Sequence, residues 1–460
     1  MAKRTSLHGL WSSRLAFILA VSGSAVGLGN IWKFPYVAGA NGGGAFVLFY
    51  LLCVALIGLP IMMAEILIGR RGRRNPVATM RIVGEEEGSR PSWALVGIMG
   101  VVAGIIILSF YSVIAGWSLA YVGHAALDRF AGAGAAEVNG LFGGMLSDWR
   151  MLAFWHTVFM VLTISVVARG VERGLERAVR FLMPSLAILM VALLGYAIVH
   201  GDFSAGVHFM LDADFSKLTP EAMLAALGQA FFSLSIGMGA IMAYGAYLPE
   251  GTSISNTSIS VVIADTGMAL LAGLAIFPIV FAHALDPAAG PGLIFQTLPL
   301  AFGNMTGGHL FGTLFFVLLT FAAWTSSIGL IEPAVAWSVE THGRSRVRSA
   351  VTIGVIVWVL GFLTILSFNE LEGFKILGRT LFENLDHLAS NILLPLGGLF
   401  ITVFAGWVMC KNSTADELDL GTGTAYRSWR FLARWVAPAA VLLVFLHATG
   451  LLRLFGVSES

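Results

Sequence analysis

Gly23-Ser24-Ala25-Val26-Gly27-Leu28-Gly29-Asn30 and Ser233-Leu234-Ser235-Ile236-Gly237-Met238-Gly239-Ala240 decide the reading of this chain. Each stretch interrupts the middle of an apolar run with two glycines one residue apart. A glycine costs a helix about 1 kcal/mol against alanine, so two in three residues invite local unwinding. Unwound backbone at membrane depth is tolerated only where it is buried in protein or lines a cavity. The freed amides and carbonyls, with the ends of the half-helices, can then bind a carboxylate and cations. A lone Gly-x-Gly in such a helix is more simply a close helix contact. Its recurrence in spans one and six suggests two five-helix repeats of opposite orientation, and matching interrupted helices point to a transporter site. Neither pair fits a dinucleotide fingerprint, since no third glycine follows and no strand precedes.

The surroundings are those of a polytopic membrane protein. Of 460 residues 57% are apolar and only 12% charged, about half the charge usual in soluble domains, and mean hydropathy is +0.84. That excludes a soluble multidomain enzyme and a disordered chain. A net charge of +1 offers no basic field for nucleic acid. Cys53 and Cys410 lie in apolar runs without metal or disulfide spacing. Apolar stretches of about 18 residues or more predict eleven transmembrane helices. They cover about 13–39, 43–69, 94–125, 151–168, 175–200, 222–248, 257–284, 309–340, 348–368, 385–410 and 431–452. Lys3 and Arg4 before the first run imitate a signal peptide, but the run continues past Gly29 without a cleavage signal.

With the N-terminus inside, 20 Lys and Arg fall on inner segments and 6 on outer ones, with Lys33 left within a span. This bias sets the orientation N-in, C-out. The loops 126–150, 200–221 and 285–308 lie outside, and 411–430 lies inside. No polar stretch is large enough for a separate catalytic domain. The scattered histidines (His156, His200, His208, His283, His309, His387) form no catalytic set and read as interfacial.

The chain resembles the neurotransmitter:sodium symporter family. The resemblance runs from Trp11-Ser-Ser-Arg14 through Gly23–Asn30 to Lys33-Phe34-Pro35-Tyr36 and Asn41-Gly42-Gly43-Gly44-Ala45-Phe46. It resumes at Gln229–Gly239, Tyr244 and Tyr247, then at Thr325-Ser326-Ser327 and Pro333. It implies an all-α fold of the eleven-helix bacterial type, with helices 1 and 6 unwound. The first repeat would occupy 1–200, the inverted second repeat 222–410, and a peripheral helix 431–452. It implies a symporter of the plasma (inner) membrane, sufficient as a monomer, with Na⁺ as coupling ion and no other cofactor.

The resemblance also assigns residues. A first sodium site would use the carbonyls of Ala25 and Ser233, the side chains of Asn30, Ser233 and Asp265, and a substrate carboxylate. A second would use the carbonyls of Gly23, Val26 and Ala322 and the hydroxyls of Thr325 and Ser326. The alternative for those hydroxyls is bonding to their own helix. A charge in mid-membrane is functional by default, although Asp265 could instead be a protonated or ion-paired structural acid. Chloride-dependent relatives bind an anion near this position, where Tyr50, Gln229 and Ser233 match, so Asp265 is expected to make transport chloride-independent.

A neutral amino acid is the implied substrate, held in the first broken helix around Ser24 and Ala25. Its carboxylate would meet the amides of Leu28 and Gly29 and the Tyr111 hydroxyl. Its ammonium would meet carbonyls of Ala25, Phe232 and Ser233 and the Ser235 hydroxyl. Ile107, Phe232, Met238, Ser326 and Leu330 would face its side chain, favouring hydrophobic or aromatic L-amino acids. Without the family, Ile107, Met238 and Leu330 read as packing residues.

Lys33 and Asp386 are similar to the outer gate pair, with Tyr111 and Phe232 as a lid. Trp11 and Glu340 match the inner gate, where the family's arginine is replaced by His8, with Arg4 further upstream; a histidine there would confer pH sensitivity. Gly174 and Pro184 match a family spacing in the fifth span thought to permit unwinding, although a proline alone only kinks a helix. Glu65 and Glu332 read as partners for loose backbone amides, with proton coupling as the alternative. A sensor or channel on the same scaffold would keep the site without coupled uptake; an enzyme is not indicated.

Overall fold

The computed structural model describes residues 4–288 and 292–448. Lys3 and Arg453 of the charge count, residues 289–291 of the expected outer loop and 449–452 of the expected last span lie outside these. Among the described residues, nine helices are long and apolar enough to cross a membrane. A tenth crossing is a bent pair, Arg14–Ala25 and Gly29–Ala40, whose axes turn by 50° at the break. The sixth expected span is two shorter pieces, Pro220–Ser233 and Ala240–Ala246. The described residues are therefore those of a multi-pass membrane protein whose regular structure is helical throughout.

The breaks have local causes. Ser13 caps the first half-helix by accepting the Ala16 N–H at 3.1 Å. That half-helix ends where Val26 turns extended (φ −69°, ψ 102°). Thr219 caps the sixth span, which begins on Pro220 in the manner of a first-turn proline. It stops because Ser235, Gly237 and Gly239 all have positive φ (53°, 88° and 76°). The two glycines adopt this without penalty. Ser235 does not, and a non-glycine residue held there is the strain expected beside a functional site.

Helices differ in how deeply they sit. Gly308–His342 is 78% buried over its most apolar window, whereas Thr424–Leu446 is only 28% buried. The first is thus the central post against which both broken helices pack, and the second lies at the periphery. The segments expected as plain loops hold short helices: Ala135–Ser147, Phe203–Leu211, Leu293–Gly303 and Lys411–Leu418. Their apolar positions, such as Val138 and Met145, fold down onto the transmembrane body, which a search for spans alone does not detect.

Candidate functional site

Asn30, Tyr50, Gln229, Ser233 and Asp265 converge where the two breaks meet, and all are buried. Asn30, from the second half of the first span, donates through Nδ2 to the Ser233 hydroxyl (3.1 Å). The same nitrogen faces the Asp265 carbonyl (3.0 Å) and Asp265 Oδ1 (2.8 Å). Ser233, the last residue before the second break, donates to Asp265 Oδ2 at 2.6 Å and lies 3.1 Å from the Tyr50 hydroxyl. Asp265 is therefore no isolated charge, and its interactions here are hydrogen bonds. Gln229 Nε2 donates to the Gly29 carbonyl at 2.8 Å, tying the two broken helices together. The arrangement is a compact set of hard oxygen atoms around one carboxylate, the donor chemistry that suits a small alkali cation.

Around it, the breaks are latched to their neighbours. The Leu28 N–H donates to the Tyr111 hydroxyl at 3.2 Å, and the Gly27 N–H to Asn30 Oδ1 at 3.2 Å. Ser235 donates to the Ser24 carbonyl at 3.1 Å. Ser326 donates across to the carbonyls of Val26 (3.3 Å) and Gly23 (3.5 Å), so this hydroxyl lies on the first break. Thr325 instead donates to carbonyls of its own helix, Ala322 at 3.0 Å and Phe321 at 3.2 Å. Ala25, Ile107, Met238, Ala322 and Leu330 are buried nearby.

A cavity of about 490 Å³ lies beside the second half of the first broken helix and reaches Tyr111 and Phe232. Lys33, Tyr36 and Asp386 line its sides. Lys33 and Asp386 thus share the vestibule, but among the described residues they form no ion pair. The Lys33 ammonium lies 4.2 Å from the centre of the Phe232 ring, and Asp386 Oδ1 accepts from Ser390 at 2.8 Å. Of the expected side-chain lining and lid, only Tyr111 and Phe232 reach this cavity; Ile107, Met238, Ser326 and Leu330 lie outside its lining.

The opposite end is tied shut. Trp11 is 2% exposed, donates through Nε1 to the Tyr244 carbonyl (3.1 Å) and meets the Tyr244 ring edge-on. His8 Nε2 stands 3.0 Å from Glu340 Oε1, so His8 occupies the position beside this acid. Asn75 also holds Glu340, through its N–H and its amide group, at 2.8 Å each. Arg4 is engaged elsewhere, with Glu86 at 2.5 Å. A second cavity at this end, about 700 Å³, is lined by four arginines and several acids, many of them already paired with one another or with carbonyls.

The buried acids divide. Glu65 meets loose backbone as the sequence suggests, accepting the Gly237 N–H at 2.6 Å. Glu332 does not: it takes the Arg346 guanidinium (3.0 and 2.5 Å) and the Tyr247 hydroxyl (2.9 Å). Arg346 also donates to the Val167 carbonyl at 2.8 Å. A third acid, Glu176, escaped the sequence reading. It receives the Ser12 N–H (3.0 Å) and hydroxyl (2.5 Å) and pairs with Arg180 at 2.7 Å. An acid in one helix and an arginine at the start of the next carry no sequence signature; only the fold brings Glu332 and Arg346 together.

The model of the sodium:neurotransmitter symporter family matches residues 8–131 and 141–454. A sodium-dependent transporter of Bacillus subtilis is 38% identical over 445 residues, covering 96% of this chain and 98% of the relative. A second from Haemophilus influenzae is 31% identical, covering 95% and 97%. The human sodium- and chloride-dependent GABA transporter 2 is 23% identical, covering 96% of this chain and 80% of its own. Among solved structures, MhsT in complex with L-phenylalanine superposes with a TM-score of 0.89 at 43% identity, covering 96% and 99%. The chain belongs to the sodium:neurotransmitter symporter family.

Proposed function

We propose, from that membership, that this chain is a sodium-coupled symporter importing neutral, hydrophobic or aromatic L-amino acids by alternating access. The carrying observation is the Asn30–Ser233–Asp265 cluster at the junction of two helix breaks, beneath a vestibule floored by Tyr111 and Phe232. The likeness to a relative crystallised with L-phenylalanine supports an aromatic amino acid among the substrates. Two sodium ions are assigned. The first takes Asn30, Ser233 and Asp265 with the Ala25 carbonyl. The second takes the carbonyls of Gly23, Val26 and Ala322 with Thr325 and Ser326. The Thr325 hydroxyl would have to turn from its own helix to serve it.

Asp265 then supplies the anion of the first site, and transport needs no chloride. The architecture proposed is eleven transmembrane helices in two inverted repeats, 1–200 and 222–410, with 431–452 peripheral. The N-terminus faces the cytoplasm, the C-terminus lies outside, and one monomer suffices. Lys33 and Asp386 close the outer side once substrate is bound, while Trp11 and Glu340 hold the inner side. Each charge crossing about 100 mV supplies about 2.3 kcal/mol. Two sodium ions with a neutral zwitterion therefore supply roughly 4.6 kcal/mol, some 10³-fold accumulation before the sodium gradient is added.

Uptake of labelled L-phenylalanine into proteoliposomes tests this. A sodium gradient should drive saturable accumulation that survives replacement of chloride by gluconate. Binding without accumulation would favour a sensor or channel on this scaffold. Loss of uptake without chloride would remove the role given to Asp265.

A further inference from the structure

The last described helix carries an arginine that the transport reading does not use. Thr424–Leu446 holds Arg427, Arg430 and Arg434 and no acidic residue. Arg430 is occupied, donating to Thr414 and Tyr426 at 3.0 Å and to the carbonyls of Gly406 and Met409 at 3.3 Å. Arg434 is not. Among the described residues its guanidinium meets no carboxylate and makes no hydrogen bond, and its Nε is buried without a partner. It is held instead by two tryptophans. Its central carbon stands 4.1 Å from the centre of the Trp407 ring and 5.7 Å from that of Trp435.

The arrangement is built. Trp407 lies at the end of the helix Leu381–Val408, and its indole N–H donates to the Arg434 carbonyl at 3.0 Å. The two indoles meet edge-to-face at 4.6 Å. Gly406 allows this approach, because a Cβ there would stand 2.9 Å from Arg434 Cα. Yet Trp407 and Trp435 remain 47% and 53% exposed, and Phe431 59%. Two exposed indoles, one at the end of Leu381–Val408 and one where the polar, basic first turns of Thr424–Leu446 give way to its apolar part, mark the boundary between acyl chains and water. A guanidinium stacked there, its donor edge unused, fits a planar pair of anionic oxygens.

We propose that Trp407, Arg434 and Trp435 form a binding site for the phosphodiester of an anionic phospholipid. The indoles fix the guanidinium plane and its free N–H groups take the phosphate oxygens, while the acyl chains lie along the exposed apolar face above Trp435. Arg427, exposed on the same helix, adds positive potential without occupying the site. Phosphatidylcholine carries the same phosphate, but its ammonium is repelled by Arg427, Arg430 and Arg434, and the indole faces are already engaged by arginine. The site therefore selects phosphatidylglycerol-like headgroups.

Native mass spectrometry of the purified full chain, titrated with phosphatidylglycerol or phosphatidylcholine, tests this. Wild type should retain one phosphatidylglycerol with a preference on the order of tenfold over phosphatidylcholine. Arg434→Gln should bring that preference to within about twofold, with an unchanged melting temperature. Arg434→Lys keeps the charge but loses the planar stack, and should fall between the two; it also decides the matter if the glutamine variant fails to fold. Trp407→Ala with Trp435→Ala should resemble Arg434→Gln. A preference unaltered in Arg434→Lys and in the double tryptophan variant overturns the proposal. So does displacement of the lipid by inorganic phosphate at about 10 mM, which would make this a site for free phosphate. A dimer abolished by Trp407→Ala would show that a second copy covers this face, and would overturn it equally.

Discussion

Gly27→Ala is the substitution whose outcome depends most directly on how closely the first break is packed. A Cβ built on Gly27 lies 2.2 Å from Ser326 Oγ, 2.8 Å from the Tyr111 hydroxyl and 3.0 Å from Ser326 Cβ. Carbon atoms rest comfortably at about 3.5–4.0 Å. Turning the Ser326 hydroxyl away leaves its Cβ still about 0.5 Å too close and breaks the bond to the Val26 carbonyl. Withdrawing Tyr111 breaks its bond from the Leu28 N–H. Overpacking costs about 1–3 kcal/mol, and one lost hydrogen bond about 1 kcal/mol more. The total, about 2–4 kcal/mol, falls on the arrangement proposed to hold substrate and sodium, so affinity should drop roughly 30- to 1,000-fold. Scintillation-proximity binding of tritiated L-phenylalanine in sodium buffer measures this, with the melting temperature taken alongside. Adding Ser326→Gly removes both serine contacts and should restore part of the packing, although it also removes the hydroxyl assigned to sodium. Gly140→Ala, with no atom within 4 Å of its Cβ position, is the control. Wild-type affinity in Gly27→Ala would refute the reasoning, because the first break would then be loose enough to accept a methyl group.

Other perturbations probe the rest of the molecule. Asp265→Asn removes the carboxylate of the cluster, and uptake in proteoliposomes should then require chloride; equal uptake in gluconate would count against the anion role. Glu332→Gln leaves the largely buried Arg346 without its counter-charge, at a cost of about 3–5 kcal/mol. That should appear as a lower melting temperature in detergent, restored in part by pairing it with Arg346→Met. Trp11→Ala deletes a buried ring worth about 3–5 kcal/mol. Because that ring ties the closed end, a cysteine introduced at Ser24 should become more reactive to thiol reagents added from the inner side of sealed vesicles.

Much of this was legible because the bilayer makes apolar length and charge rarity informative. The paired glycines around Gly27 and Gly237 located both breaks, for two reasons: glycine accepts the backbone found at Gly237 and Gly239, and at Gly27 a Cβ would stand 2.2 Å from Ser326 Oγ. Asn30, Ser233 and Asp265 were drawn together by resemblance, and the fold does place them within hydrogen-bond distance. What stayed hidden depends on contacts between distant helices. Nothing near Glu332 in the sequence announces Arg346, whose side chain must reach back from the start of the following helix. Nothing near Lys33 announces that its ammonium rests on Phe232 rather than beside Asp386. Aromatic clamps are equally silent: Trp407 and Arg434 belong to different spans and meet only because Gly406 admits the neighbouring backbone.

The unequal ends of the molecule bear on how sodium would drive the cycle. At one end Trp11, Glu340 and Glu332 each hold more than one partner, so opening it requires several buried bonds to break together. At the other, Lys33 and Asp386 line a vestibule without pairing to each other, and the Lys33 ammonium rests on the lid residue Phe232. In the proposed orientation, this state is open to the outside. Sodium bound at Asn30, Ser233 and Asp265 would join the two halves of the broken helices through a single charge. A ligand shifts such an equilibrium only by its differential affinity for the two states. The ion must therefore hold the breaks in the geometry seen here more tightly than in the inward-open one. On the proposed reading substrate would act differently, closing the vestibule over itself and bringing Tyr111, Phe232, Lys33 and Asp386 together so that the ties around Trp11 would become the weaker end. On this proposal coupling requires that substrate close the vestibule only over bound sodium, since sodium alone leaves the Trp11 end tied and substrate alone must not release it.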